Sequence, residues 1–77
     1  MSKNLKITYD PPSDTLYMDL AEPYEGQDSR SLAKGVLARL NPDTHAVETL
    51  EILNFKSRVA SEGTAILPIR GVFVLAD

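Results

Sequence analysis

Apolar and polar residues alternate from the first strand-forming stretch onward. Leu5, Ile7 and Tyr9 interleave with Lys6, Thr8 and Asp10, and Leu16, Met18 and Leu20 interleave with Thr15, Tyr17 and Asp19. A period of two marks strands with one buried face. Between the two runs Pro11 and Pro12 cannot donate to a ladder, and Ser13 and Asp14 bond neighbouring backbone well, so YDPPSDTLYMDL is predicted to be a β-hairpin. AEPYEGQ (21–27) combines Pro, Gly and charge as a connecting loop. A third strand is expected over Arg30–Ala33, turning at Lys34-Gly35 into a fourth over Val36–Leu40. NPDTH (41–45) is a strong turn signal, with Pro42 suited to the second position of a type I turn.

A fifth strand is predicted over Ala46–Leu53. In it Leu50 and Ile52 point one way while Val47 and Leu53 point the other, which suits a central strand. Asn54 is the expected cap of a short helix starting near Phe55, with Phe55 and Val59 on one side and Gly63 as its stop. Beyond Pro68 and Gly71, the β-branched and aromatic run Val72–Leu75 predicts a further strand. The fold class expected is α+β, mainly β: one antiparallel sheet of five or six strands, partly covered by one short helix, in a single domain over residues 1–77.

A chain of 77 residues buries only roughly 60% of the surface its unfolded form exposes. It has no Cys, so neither a disulfide nor a thiolate metal site can staple it, and 43% hydrophobic residues leave association as the economical source of further burial. A homodimer is therefore the expected state. The start, MSKNLKITYD, has no continuous apolar run and no segment approaches a membrane span, so a cytoplasmic location is expected. Residues 1–28 carry six acids against Lys3 and Lys6, and residues 29–77 six bases against five acids. Without a basic stripe, nucleic-acid binding by this chain alone is not expected.

The candidate chemistry is thin. His45 is the only histidine, and with no Cys it reads as a solvated turn residue rather than a zinc ligand. The acids between Asp10 and Asp28 lack the spacing of a calcium loop. Asp10 and Asp14 bracket the Pro-Pro turn and suit backbone N–H groups. Ser29 and Ser31 stand in no nucleophile motif. Glu51 is a charge between Leu50 and Ile52, with Arg39 on the preceding strand as its expected partner. No catalytic, metal or cofactor residue is assigned. Tyr9 and Tyr17 suit a protein interface or ordinary sheet surface, with Tyr17 on the face opposite the main core. Val72, Phe73, Val74 and Leu75 are expected to dock on a sheet edge and to contribute to the dimer contact.

The order KITYDPPSDTLYMDL, then SRSLAKGVLARLNPDTHAVETLEILNFKSRV, resembles the small bacterial and archaeal family of uncharacterised proteins called DUF2283. Matching positions are Lys6, Ile7, Tyr9, Asp10, Asp14, Leu16, Tyr17 and Leu20, then Gly35, Val36, Val47, Leu50, Glu51, Ile52 and Leu53, over about residues 5–59. A glycine common in the family's second turn is replaced within NPDTH, and residues after Gly63 extend beyond the similar part. The resemblance implies a small β-rich fold with no established activity. Because some relatives are encoded beside small toxin-like proteins, it also suggests an antitoxin-like partner role. The function expected is thus a protein-binding module acting through self-association, a heterologous partner, or both. The alternative is a small-ligand binder or small enzyme with a pocket between the short helix and the sheet.

Overall fold

The computed structural model describes residues 4–60 and 63–76. Five strands form one antiparallel sheet: β1 (Lys6–Asp10), β2 (Thr15–Asp19), β3 (Asp28–Ala33), β4 (Val36–Leu40) and β5 (Val47–Leu53), followed by helix α1 (Phe55–Ala60). Their order is β1-β2-β5-β4-β3, so β5 is central and β1 and β3 are the edges. The expected α+β, mainly-β architecture is the one found.

Register fixes the faces, because residues directly opposite one another share a side. Tyr9 lies opposite Leu16, Leu16 opposite Ile52, and Ile52 opposite Val36; beside this row run Ile7, Met18, Leu50 and Ala38. This is the apolar face. Val36, Ala38 and Ile52, its central members, are the fully buried apolar side chains among the described residues. The other face carries Thr8, Tyr17, Glu51 and Leu37 in one row and Lys6, Asp19, Thr49 and Arg39 in the next.

Three turns close the sheet with residues that tolerate the left-handed region. Asp14 (φ 52°) ends the Pro-Pro turn, whose Asp14 N–H donates to the Pro11 carbonyl at 3.2 Å. His45 (φ 64°) ends NPDTH, where the Asn41 side-chain oxygen accepts from the Asp43 and Thr44 amides at 2.8 and 3.0 Å. His45 thus holds a conformation usually left to glycine. Gly35 (φ 76°) closes the β3–β4 turn, and a Cβ there would run into the Arg58 guanidinium.

Two expectations are corrected. The side chain that caps α1 belongs to Asp14 rather than Asn54: Asp14 Oδ1 accepts from the Lys56 amide at 3.1 Å, and the Asp14 carbonyl accepts from the Phe55 amide at 2.9 Å. Asn54 does hold the N-cap position, its carbonyl accepting from the Arg58 amide at 3.0 Å, but its backbone is left-handed (φ 54°) and the side-chain bond to the first turn comes from Asp14 instead. The strand expected at Val72–Leu75 does not form in the chain. Residues 63–76 carry no regular secondary structure. Strand propensity alone does not order a segment without a neighbouring ladder, and Pro68 and Gly71 interrupt its approach.

Candidate functional site

One end of the apolar face is closed by α1. The Tyr9 and Phe55 rings lie 6.2 Å apart at 56°, and the Lys56 ammonium stands 5.7 Å from the Tyr9 ring centre. The Tyr9 hydroxyl donates to Asp14 Oδ1 at 2.6 Å. Arg58 Nε donates to the Leu53 carbonyl at 2.9 Å, and its Nη2 to the Lys34 carbonyl, tying the helix to the ends of β5 and β3. The bond to Asp14, reinforced by partial desolvation, pushes the Tyr9 phenol up to about 12, and the same bond holds Asp14 below its ordinary value. Tyr9 is therefore an internal brace. It also projects from the face opposite Tyr17, so the two tyrosines form no common patch on one sheet.

A polar knot lies at the opposite end of the same face. Glu48, in phase with Leu50 and Ile52, accepts at Oε1 from the Tyr24 hydroxyl at 2.6 Å and from Gln27 Nε2 at 2.8 Å, while Asn41 Nδ2 approaches its Oε2 at 3.3 Å. The Glu48 bond pushes the Tyr24 phenol up to about 12. This network binds the 21–27 loop down. Its sequence signal was the parity of Glu48: an acid on the core side of a central strand needs donors, and Tyr24, Gln27 and Asn41 are those within reach. Glu51 stands on the other face and pairs with Arg39 at 2.7 Å, as the sequence reading expected. With the Arg39 side chain 40% exposed, that pair stabilises by at most about 1 kcal/mol.

Between these anchors the apolar face stays open on the β1–β2 side. Leu5, Ile7 and Leu20 are exposed, Ile7 by 60%. The segment after Gly63 overhangs this area, leaving a concavity of about 800 Å³ walled by Leu5, Met18, Leu20 and Leu50 on the sheet and by Leu67 and Val72–Val74 above. Val72, Phe73, Val74 and Leu75 remain 83–88% exposed. Of the residues expected at an interface, these four form a contiguous uncovered apolar run. The concavity has no wall from α1, whose Phe55 is packed on Tyr9.

Reactive groups among the described residues do not converge. Among the described residues no three His, Asp or Glu side chains gather in a way that would hold a metal ion. His45 is exposed on its turn. Thr49 Oγ1 and Gln27 Oε1 are buried without a hydrogen-bond partner among the described residues. No described helix is long and apolar enough to cross a membrane. Comparisons of the chain with protein families, with curated proteins and with solved structures found no match.

Proposed function

We propose that the protein is a small protein-binding module that engages another chain, either a second copy of itself or a heterologous protein, through Val72–Leu75 and the open apolar area at Leu5, Ile7 and Leu20. The observation that carries this reading is a contiguous apolar surface: Val72, Phe73, Val74 and Leu75 are 83–88% exposed, and they stand over the exposed Leu5 and Leu20 of the apolar face, with Ile7 exposed beside them. Monomeric proteins seldom leave such a run uncovered, and where one occurs it marks an interaction site.

Four large apolar side chains left in water forgo about 1.5 to 3 kcal/mol each. That supplies the driving force for association. The resemblance to DUF2283 adds an antitoxin-like role, with a toxin-like protein encoded beside it as the heterologous partner, acting in the cytoplasm. A small apolar ligand in the concavity is the second reading, favoured by its volume of about 800 Å³, which lies within the range of ligand pockets. The protein reading is preferred because one wall of the concavity is itself almost fully exposed, and a ligand there would remain in contact with water.

Gel filtration coupled to light scattering tests the proposal across the micromolar range. The full chain should run at about twice the 8.5 kDa of one chain, or at the mass of a complex when co-expressed with the product of the adjacent gene. A form lacking residues 72–77 should run as a single chain under both conditions. Unchanged single-chain mass of the full protein in both would remove the reading.

A further inference from the structure

We infer that Val72–Leu75 of one chain adds to the free edge of β1 in a second copy, which returns the same segment, so that each sheet gains its sixth strand from its partner. This rests on the reading that the segment is a protein contact, and it names the partner and the mode.

The two edges of the sheet are not equivalent. Both edges carry two charged residues, Lys6 and Asp10 on β1 and Asp28 and Arg30 on β3 (Asp28–Ala33), but only the pairing of β3 with its neighbour shifts register, between Ser31 and Ala33. Irregularity of this kind blunts an edge against further pairing. β1 pairs with β2 without a break over all five residues, from Lys6↔Asp19 to Asp10↔Thr15. Its outer side is unpaired among the described residues, and the exposed Leu5 and Ile7 lie on its apolar face. An extended apolar segment laid there would gain ladder hydrogen bonds and cover those side chains together.

The segment fits that edge. Its four residues match a five-residue strand, and its alternation supplies two faces: Val72 and Val74 on one, Phe73 and Leu75 on the other. One pair would lie beside Leu5 and Ile7. The other would lie on the side of Thr8, with Tyr17 one strand further in, which brings Tyr17 into the contact. Within its own chain the segment overhangs the sheet without closing on it, as the concavity and its exposure show. The nine steps from Gly63 to Val72 span up to roughly 30 Å when extended, long enough to carry the segment to the β1 edge of an adjoining copy.

The donor segment and the acceptor edge sit on the same chain. Reciprocal exchange then closes with two-fold symmetry and leaves neither edge unfilled, which a single heterologous peptide would not achieve.

Cysteine cross-linking tests the arrangement cleanly because the chain has no Cys of its own. Ile7→Cys and Phe73→Cys chains, mixed and oxidised at micromolar concentration, should give a disulfide-linked pair. Inside an assembled dimer the local thiol concentration is millimolar, so linkage should run roughly 100-fold faster than in a control mixture of Ser29→Cys and Phe73→Cys, which places one thiol on the β3 edge. The double variant Ile7→Cys/Phe73→Cys should link between chains. Far-UV circular dichroism verifies folding, and the pair Thr8→Cys with Val74→Cys repeats the test if a variant is unfolded. Equal rates for test and control pairs, or a link within one chain of the double variant, would overturn the exchange. A dimer by light scattering that fails to cross-link overturns the mode alone, whereas a single-chain mass overturns both the mode and self-association.

Discussion

The helix end and the open end of the apolar face are built from the same strands and the same kinds of residue, yet one is sealed and the other bare. At the helix end Tyr9, Leu16, Ile52 and Val36 lie beneath a cover held by directional bonds: Asp14 on the Tyr9 hydroxyl and the Lys56 amide, and Arg58 on two carbonyls. At the open end Leu5 and Leu20, with Ile7 exposed beside them, face a segment that is more apolar than α1 and has no such anchor among the described residues. Hydrophobic attraction is non-directional. Polar fasteners decide which cover is pinned within the chain, and an apolar run without fasteners is available to a partner.

Substitutions at the two ends should separate sharply. Ile52→Ala, in the buried centre, should cost about 2–5 kcal/mol in urea unfolding and leave little folded protein in a chain this small. Ile7→Ala, at the 60% exposed position, should change the stability of the dilute monomer by less than about 1 kcal/mol and instead weaken association. Equal losses of monomer stability would erase the contrast.

Gly35→Ala should cost about 1 kcal/mol or more, since the left-handed backbone and the Arg58 guanidinium both oppose a Cβ. Asp14→Ala should loosen the helix end next, removing the cap and the Tyr9 bond together. Asp14→Asn should recover most of the loss, because it keeps the left-handed tolerance and an acceptor oxygen. Thermal melts followed in the helical far-UV band distinguish the two. If Asp14→Ala melted like the parent, the cap would be incidental.

The smallest effect expected is in the pH profile. Tyr9 and Tyr24 are raised from 10.0 to about 12, so folding favours their neutral forms; the stability they add is fully present below pH 10 and is withdrawn as pH rises toward about 12. Asp14 is lowered, so its share is present above the ordinary carboxylate range and lost as pH falls through its folded value. Urea midpoints of the double variant Tyr9→Phe/Tyr24→Phe should lose the alkaline slope between pH 10 and about 12 and weaken the acid one, because the Tyr9 bond is the main cause that holds Asp14 low. Tyr24→Phe alone should reduce the alkaline slope and leave the acid one in place. An unchanged alkaline slope would mean that the two phenols are not held as described.

Much of this contrast was legible in the residues. Alternation gave the hairpin, the faces of β5 and the placing of Tyr17 opposite the core, and a lone charge on β5 pointed to Arg39 as the partner of Glu51. Bonds closed across long sequence separations were not legible. Asp14 and Lys56 lie 42 positions apart, so the local signal at Asn54 placed the cap position but not the side chain that fills it. The same holds for Glu48 with Tyr24, whose bond spans 24 positions and left no local signal of that pairing in the sequence. Val72–Leu75 has the composition of a strand, but a strand is completed by its neighbour, and the chain supplies none in place.

Hydrogen exchange of the backbone amides at residues 72–75, followed as the protein is diluted, tests most directly whether a second chain covers this segment. The expected result is protection of these amides, and of the outward-facing amides of β1, at concentrations where the protein is dimeric, with both lost together on dilution to monomer while β5 stays protected. Exchange of residues 72–75 at the unprotected rate at every concentration would contradict the account.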